Sequence, residues 1–198
     1  MHLLRLSLAA AATTLLVGCA STSPTVGSGN VQYGDAKAVE QVTNEFGSTD
    51  LQTIAESMAR SLTQFAATAY KNRPLVTVAD VKNRTSEYID TRSITDSIKT
   101  QVLKSGAMRF AVDINQMQNQ TDELIRQNQS GLYKQSTTAK TGKMEGAKYR
   151  VEGTITSIVK SSSSTKDVYY KFTLQLIDTE AGVAEWMDEK EIRKTSKR

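Results

Sequence analysis

Few residues of this chain could do covalent chemistry, and the first of them is its only cysteine, Cys19. This thiol lies directly behind an apolar run, residues 6–17, which one basic residue, Arg5, precedes. The run is too short to span a bilayer, which takes about 20 apolar residues. Small residues stand just before the cysteine, so the pattern predicts an export signal that is cleaved at this point.

The four residues that end in Cys19, LVGC, resemble the lipobox of bacterial lipoproteins. The resemblance implies a diacylglycerol on the sulfur of Cys19, cleavage before it and acylation of the new amine, so that residues 1–18 are a lipoprotein signal peptide. Two or three acyl chains anchor a protein stably, since each buried CH2 contributes about 0.8 kcal/mol. Ala20 follows instead of Asp, which by similarity to enterobacterial sorting favours the periplasmic face of the outer membrane. The alternative is an unmodified cysteine behind a plain signal peptide.

Removal of the signal peptide leaves the mature chain without the usual catalytic side chains. His2, the only histidine, leaves with the signal, and an acylated Cys19 is no longer a thiol. Nucleophile systems of the Cys/His and Ser/His/Asp kinds cannot be built from what is left, and neither can zinc sites of Cys and His. We therefore predict no catalytic residue, no metal site, no cofactor and no enzymatic activity.

Paired carboxylates remain as one route to catalysis. The last third of the chain is acidic, with carboxylates at Asp178, Glu180, Glu185, Asp188, Glu189 and Glu191. A glycan hydrolase uses two such groups as acid and base. One of them must lie in an apolar pocket, whereas these residues follow an alternating strand pattern, so solvated strand faces explain them better. A carboxylate-dependent glycan hydrolase stays open as an alternative function.

The net charge of the chain is mild. Its formal value is +4 at pH 7, and the basic residues are scattered apart from the C-terminal run IRKTSKR. Nucleic-acid-binding proteins carry a basic stripe or patch, so we predict no nucleic-acid partner. The basic tail is interpreted as a solvated end, with contact to anionic envelope polymers as the alternative.

The chain after the signal peptide is predicted to consist of a tether and one domain, and the domain must position any functional site. Residues 19–47, which begin with the lipidated cysteine, are rich in Ser, Thr, Gly and Asn and have no sustained apolar period. Such a segment cannot bury a core, so we interpret it as a flexible tether. Residues 48–198 are then one globular domain.

The domain opens with a helix, whose apolar residues from Leu51 to Ala69 recur at i, i+3, i+4 and i+7. Ser48, Thr49 and Asp50 can cap it. A β-branched run at residues 75–81 predicts a buried strand. A second helix follows and a second strand at residues 108–113, which together suggest a βαβ unit with a right-handed parallel crossover.

The second helix has its own end signals. Asp90 or Thr91 can cap its start, and Gly106 ends it. A third helix is predicted at residues 115–129. Three alternating segments at residues 148–160, 167–178 and 183–194 are joined by connections short enough for hairpins, which indicates an antiparallel meander. The fold class is therefore α/β, with a mixed sheet of about five strands and helices on at least one face.

Three groups of residues are candidates for binding a partner. Asn83, Arg84 and Thr85 stand at a strand end and enter a polar loop. Loops on rigid scaffolds often carry binding, and Arg is enriched at interface hot spots. The alternative is a solvated turn in which Asn83 and Thr85 bond the local backbone.

Tyr169 and Lys171 form the second group, because they fall on the strand face opposite Tyr170 and Phe172. An exposed aromatic beside a cation suits a protein interface. If helices cover both faces, Tyr169 is simply part of the core. Tyr133 and its loop form the third candidate surface.

The order of these pieces resembles one known family. After the lipobox and tether come FGSTDLQTIAESMARSL, then VADVKNRTSEYIDTRSITDSIKTQVLKSGAMRFAVD, and finally KDVYYKFTLQLIDTEAGVAEWMDEKEIRK. Together, over residues 46–194, these segments resemble the LpoB family of outer-membrane lipoproteins, which activate a bifunctional penicillin-binding protein. The most specific pieces are VKNRT at residues 81–85 and the terminal hairpin.

This resemblance implies a concrete function. Members of the family are non-enzymatic, share the fold of the TolB N-terminal domain, and dock on a small non-catalytic domain of a class A penicillin-binding protein. Docking stimulates glycan polymerisation and peptide crosslinking, and we expect the domain to be monomeric. Enterobacterial members have a long Pro-rich tether, whereas this tether is short and has one proline, Pro24. The alternative is a structural envelope lipoprotein that acts by self-assembly.

Overall fold

The computed structural model describes residues 34–41 and 43–197. The predictions for the signal peptide, for Cys19 and for the first part of the tether concern residues outside this range. Within it, the three helices are α1 (Ser48–Ala69), α2 (Thr91–Ser105) and α3 (Ile114–Gln129). The strands are β1 (Leu75–Val78), β2 (Lys82–Arg84), β3 (Arg109–Phe110), β4 (Tyr149–Ser161), β5 (Thr165–Asp178) and β6 (Val183–Lys197).

The strands form one mixed sheet in which β3, β1, β4, β5 and β6 lie side by side in that order. β1 pairs in parallel with both β3 and β4. β4, β5 and β6 pair antiparallel, as the meander predicts. The predicted α/β class with a mixed sheet and flanking helices is therefore confirmed.

The sheet has one strand more than predicted, because the strand predicted at residues 75–81 ends at Val78 and β2 forms beyond it, where the sequence predicts a polar loop. β1 and β2 pair with the same edge of β4. Val78 pairs with Val151 and Lys82 pairs with Thr154. The chain therefore advances four residues from β1 to β2 while β4 advances three. One residue is therefore extra, as in a β-bulge. Opposed residues share a face of the sheet. The extra residue turns Lys82 and Arg84 to the face opposite that of Val78.

The helix ends form where local side chains can bond the free backbone groups. The N–H of Gly47 donates to the Asp50 carboxylate at 2.9 Å at the start of α1. Asp90 caps α2 by accepting two N–H groups of its first turn, and Gly106 ends the helix with a φ of 74°, which favours glycine. No helix of the described residues is long and apolar enough to cross a bilayer.

The core lies between the sheet and two helices. α1 and α2 pack against each other and against the sheet, with Ile54, Met58 and Ile94 fully buried. The buried row of β5 consists of Val168, Tyr170, Phe172, Leu174 and Leu176. We call the face of β4, β5 and β6 that carries this row the covered face, and the opposite face the open face. α3 takes little part, since none of its described side chains is buried.

Residues 36–41 and 43–47, predicted as part of the tether, include several that hydrogen bond to the domain. The Glu40 carboxylate accepts the N–H of Ser48, the first residue of α1, at 2.8 Å. Phe46 packs edge-on against the buried Tyr170, with 5.7 Å between the ring centroids. The compact unit of the chain accordingly begins at Ala36.

Candidate functional site

Three of the residues predicted to bind a partner lie together on the open face. Arg84 of β2 lies opposite Thr156 of β4, and Thr156 lies opposite Lys171 of β5. Tyr169 precedes Lys171 by two residues and so shares its face. Its partner across β4 is Ile158. Strand pairing therefore joins two groups of residues that the sequence offered as separate candidates.

Two further residues of this surface were not singled out in the sequence. Lys82 shares the face of Arg84, and both are exposed. Ile158 is 59 % exposed beside Tyr169, which is unusual for a large apolar side chain on a strand. The alternation of apolar residues along β4 could have indicated that Ile158 lies on the open face. The face of Lys82 follows only from the register in which β2 pairs with β4. We call Lys82, Arg84, Ile158, Tyr169 and Lys171 the basic patch.

Part of the charge on the open face is neutralised within the chain. The Lys171 ammonium lies 2.5 Å from the Glu189 carboxylate of β6, and this hydrogen bond raises the pKa of Lys171. A hydrogen bond with Glu191 raises the pKa of the Tyr169 hydroxyl. Lys171 therefore stays charged and Tyr169 stays neutral at physiological pH.

The charges of β2 are not neutralised in this way. Lys82 and Arg84 make no ion pair within the described part of the chain. Two uncompensated cations thus stand beside an aromatic and an exposed aliphatic side chain. Such a surface is complementary to a partner surface of negative potential.

Asn83 and Thr85 hydrogen bond to the local backbone, as expected from the alternative interpretation of this segment as a solvated turn. The Asn83 side-chain oxygen accepts the N–H of Thr85 at 2.9 Å, and its amide donates to the Glu87 carbonyl at 2.9 Å. The Glu87 carboxylate in turn accepts the Tyr170 hydroxyl at 2.7 Å. These two residues therefore fix the loop behind β2 and tie it to the core.

Tyr133 lies in the loop that follows α3. The Arg126 guanidinium stands over its ring, 5.4 Å from the centroid, in cation–π geometry. Arg126 is itself paired with Glu123 of the same helix. None of the described contacts joins Tyr133 to the basic patch.

Asp178, the buried carboxylate of the terminal hairpin, does not have the environment of a catalytic acid. Asp178 is 4 % exposed. The N–H of Ala181 donates to its carboxylate at 3.0 Å, and this bond and the neighbouring Lys148 lower its pKa. The acid of a glycan hydrolase needs a raised pKa instead. Among the described residues, no group of three His, Cys, Asp or Glu side chains could hold a metal ion.

Comparison with known proteins identifies the family. A family model described as "Peptidoglycan-synthase activator LpoB" matches residues 50–192, the greater part of the chain. The chain belongs to the LpoB family. The matched region contains β1 to β5 and most of β6, and hence every residue of the basic patch.

Solved structures of LpoB proteins are similar to this chain at low sequence identity. The LpoB C-terminal domain from Salmonella enterica is 14 % identical with a TM-score of 0.44, and the match covers 73 % of this chain and 99 % of that one. The LpoB C-terminal domain from Escherichia coli is 15 % identical with a TM-score of 0.44, covering 71 % and 98 %. Lipoprotein GNA1162 from Neisseria meningitidis is 14 % identical with a TM-score of 0.40, covering 62 % and 84 %. No curated protein matches this chain.

Proposed function

We propose that this LpoB-family protein is a lipid-anchored periplasmic regulator that binds and stimulates a class A penicillin-binding protein. Membership of the family of peptidoglycan-synthase activators supports the general role. The observation that carries the proposal further is the basic patch, in which Arg84, Tyr169 and Lys171 are brought onto one open sheet face. The protein acts by contact and has no catalytic residue of its own.

The composition of the basic patch fits a docking surface. Tyr and Arg are enriched at interfaces and dominate their hot spots. Ile158 and Tyr169 supply apolar area, while Lys82 and Arg84 supply charge that no residue of the described chain offsets. The partner surface is therefore acidic, and attraction between the two surfaces speeds their encounter. Asn83 and Thr85 position Arg84 by holding the loop behind it.

The anchor is the acylated Cys19, and the membrane is the outer one, with the domain on its periplasmic face. The motif that ends in Cys19 and the Ala20 that follows it support this assignment. Mass spectrometry of the N-terminal peptide tests it directly. Acyl chains on a peptide that begins at Cys19 are expected, and an intact thiol there would rule out the anchor.

The test of function adds residues 20–198, without the lipid, to each purified bifunctional synthase of the same cell. Glycan polymerisation and peptide crosslinking are followed separately. Stimulation of at least one synthase is expected. No binding and no rate change with any synthase would remove the proposal.

Substitutions then locate the docking surface. Arg84→Ala and Tyr169→Ala are expected to abolish most of the stimulation while leaving the fold intact. Lys104→Ala, at an exposed position near the end of α2, is the matched control and should keep full stimulation. Tyr133→Ala tests the remaining candidate surface. Loss of stimulation with Tyr133→Ala but not with Arg84→Ala would move the docking surface to the loop after α3.

A further inference from the structure

The segment ahead of α1 is held to the domain in two different ways, and we call its first part, residues 36–41, the outer clasp. The residues of the outer clasp are all exposed. The Gln52 side chain of α1 donates to the Ala36 carbonyl at 2.6 Å. The N–H of Glu40 donates to the Thr49 hydroxyl at 2.8 Å. The outer clasp is therefore held by exposed polar bonds, which water can replace.

Glu40 makes the central contact of the outer clasp. Its carboxylate accepts the N–H of Ser48 at 2.8 Å and the Ser48 hydroxyl at 3.1 Å. These bonds lower the pKa of Glu40, so the carboxylate is charged at physiological pH. Gly47 leaves room for it, because a Cβ at that position would collide with the carboxylate. Val39, the residue before Glu40, is 68 % exposed, so the outer clasp buries no large apolar side chain.

The part of the segment next to α1, residues 44–47, is held by buried contacts, and we call it the inner clasp. Asn44 is only 8 % exposed. Phe46 packs edge-on against the buried ring of Tyr170, and its N–H donates to the Glu87 carboxylate at 3.0 Å. Opening of these contacts returns apolar surface to water, which is unfavourable. The inner clasp is therefore harder to open than the outer clasp.

We propose that the outer clasp is a reserve length of the tether, which opens under tension while the inner clasp stays closed. This inference rests on the proposed function, in which the chain is anchored through Cys19 and its domain is held by a synthase. Residues 20–35 span at most about 53–58 Å. Opening of residues 36–43 adds at most about 26–29 Å. The reach of a tether that is short for the family thus grows by about half.

Tension applied from Cys19 loads the contacts of the outer clasp one after another. The bond at Ala36 is reached first and the bonds of Glu40 next, so the exposed bonds break in sequence rather than together. Opening then stops at the inner clasp, which is packed on the core. α1 keeps its start, because the N–H of Gly47 still donates to the Asp50 carboxylate at 2.9 Å. The domain therefore stays folded while the tether lengthens.

Optical tweezers test the proposal on residues 19–198, produced without the signal peptide so that Cys19 keeps its thiol. One handle is attached to Cys19 and the other to a second cysteine, Lys104→Cys, at an exposed position near the end of α2. We expect one reversible step with a contour gain of about 26–29 Å, at a force below that of global unfolding. A chain that shows no such step before it unfolds globally would overturn the proposal.

Two variants of the outer clasp should lose the step, because their chain is already released up to Thr43. Glu40→Ala removes the carboxylate, and Gly47→Ala keeps the charge but fills the space that the carboxylate occupies. Glu56→Ala removes the same charge from an exposed position of α1 outside the clasp, and should keep the step. Circular dichroism and melting curves confirm that each variant is folded. A step that persists unchanged in both clasp variants would arise elsewhere in the chain and rule out this mechanism.

Hydrogen exchange compares the two clasps without applied force. The amide of Ser48 is bonded to Glu40 of the outer clasp, and the amide of Phe46 is bonded to Glu87. After correction for the rates of an unstructured chain, the Ser48 amide should exchange at least about tenfold faster, because local openings of exposed contacts cost least. Equal protection of the two amides would contradict the proposal. Neither experiment contains a synthase, so a failure of the clasp and a failure of the proposed function are seen separately.

Discussion

The two faces of β5 are built from alternate residues of one strand, yet they follow different physical rules. On the covered face the row that includes Tyr170, Phe172 and Leu174 is fully buried against the helices. On the open face Tyr169 and Lys171 stay partly accessible and bond to carboxylates of β6. The covered face therefore supplies most of the stability, and the open face is free to change without unfolding the protein.

Polar groups on the two faces differ in the same way. The Tyr170 hydroxyl is buried and therefore needs a hydrogen-bond partner. It donates to the Glu87 carboxylate at 2.7 Å. Burial is also the main reason that the pKa of Tyr170 is raised. On the open face, Arg193 pairs with Asp167 at 2.8 Å in contact with water. A surface pair of this kind is screened by salt and contributes little to stability.

The largest difference in stability between the two faces is expected when two neighbouring side chains of β5 are truncated. Phe172→Ala opens a cavity in the core and should cost about 3–5 kcal/mol of the free energy of unfolding. Lys171→Ala, one residue away on the open face, should leave that free energy nearly unchanged. Urea denaturation of both variants measures the contrast. Similar losses in the two variants would mean that the open face is packed after all.

A smaller loss is expected from adding one methyl group to the covered face. Gly153 of β4 lies between Val151 and Ile155, and a Cβ there would stand 2.4 Å from the Thr173 carbonyl oxygen. Gly153→Ala forces the strands apart and should cost about 1–3 kcal/mol, as overpacking does. Gly146→Ala is the control, because its Cβ would meet no atom within 4 Å. A Gly153→Ala variant as stable as the control would show that β4 and β5 adjust freely.

The buried carboxylate at the end of the covered row should give stability a dependence on pH. Hydrogen bonds lower the pKa of Asp178 in the folded state, while an unfolded Asp titrates near about 3.9. Its stabilising effect is therefore present above that value and is lost as the pH falls through the folded pKa. Melting curves of Asp178→Asn should show a smaller loss of stability below about pH 4 than the wild type. Parallel curves for the two proteins would contradict this.

The smallest effect is expected from the exposed pair on the open face. Arg193→Ala removes the partner of Asp167, whose pKa the Arg193 hydrogen bond lowers. The melting temperature should fall slightly at low ionic strength, and the difference should vanish at about 1 M salt, where the Debye length is near 3 Å. A loss that persists in high salt would indicate that Arg193 packs against the sheet as well.

The features that the sequence alone determined are those that depend on neighbours along the chain. The period of the apolar residues fixes α1, Asp90 and Gly106 set the ends of α2, and alternation defines the buried row of the meander. The polar turn at Asn83 also depends on local hydrogen bonding, and the sequence offered it as one of two alternatives. These features involve residues a few positions apart, so their physics is visible in a short stretch of sequence.

Only the tertiary structure decided which distant residues meet. The single extra residue between β1 and β2 turns Lys82 and Arg84 to the open face, where Thr156 sets Arg84 beside Lys171. If the same residues formed one regular strand, alternation from Val78 would have directed both cations toward the helices. The register of a strand is set by hydrogen bonds to a partner far along the chain. No local pattern records those bonds, and for this reason the basic patch appeared only when the strands were paired.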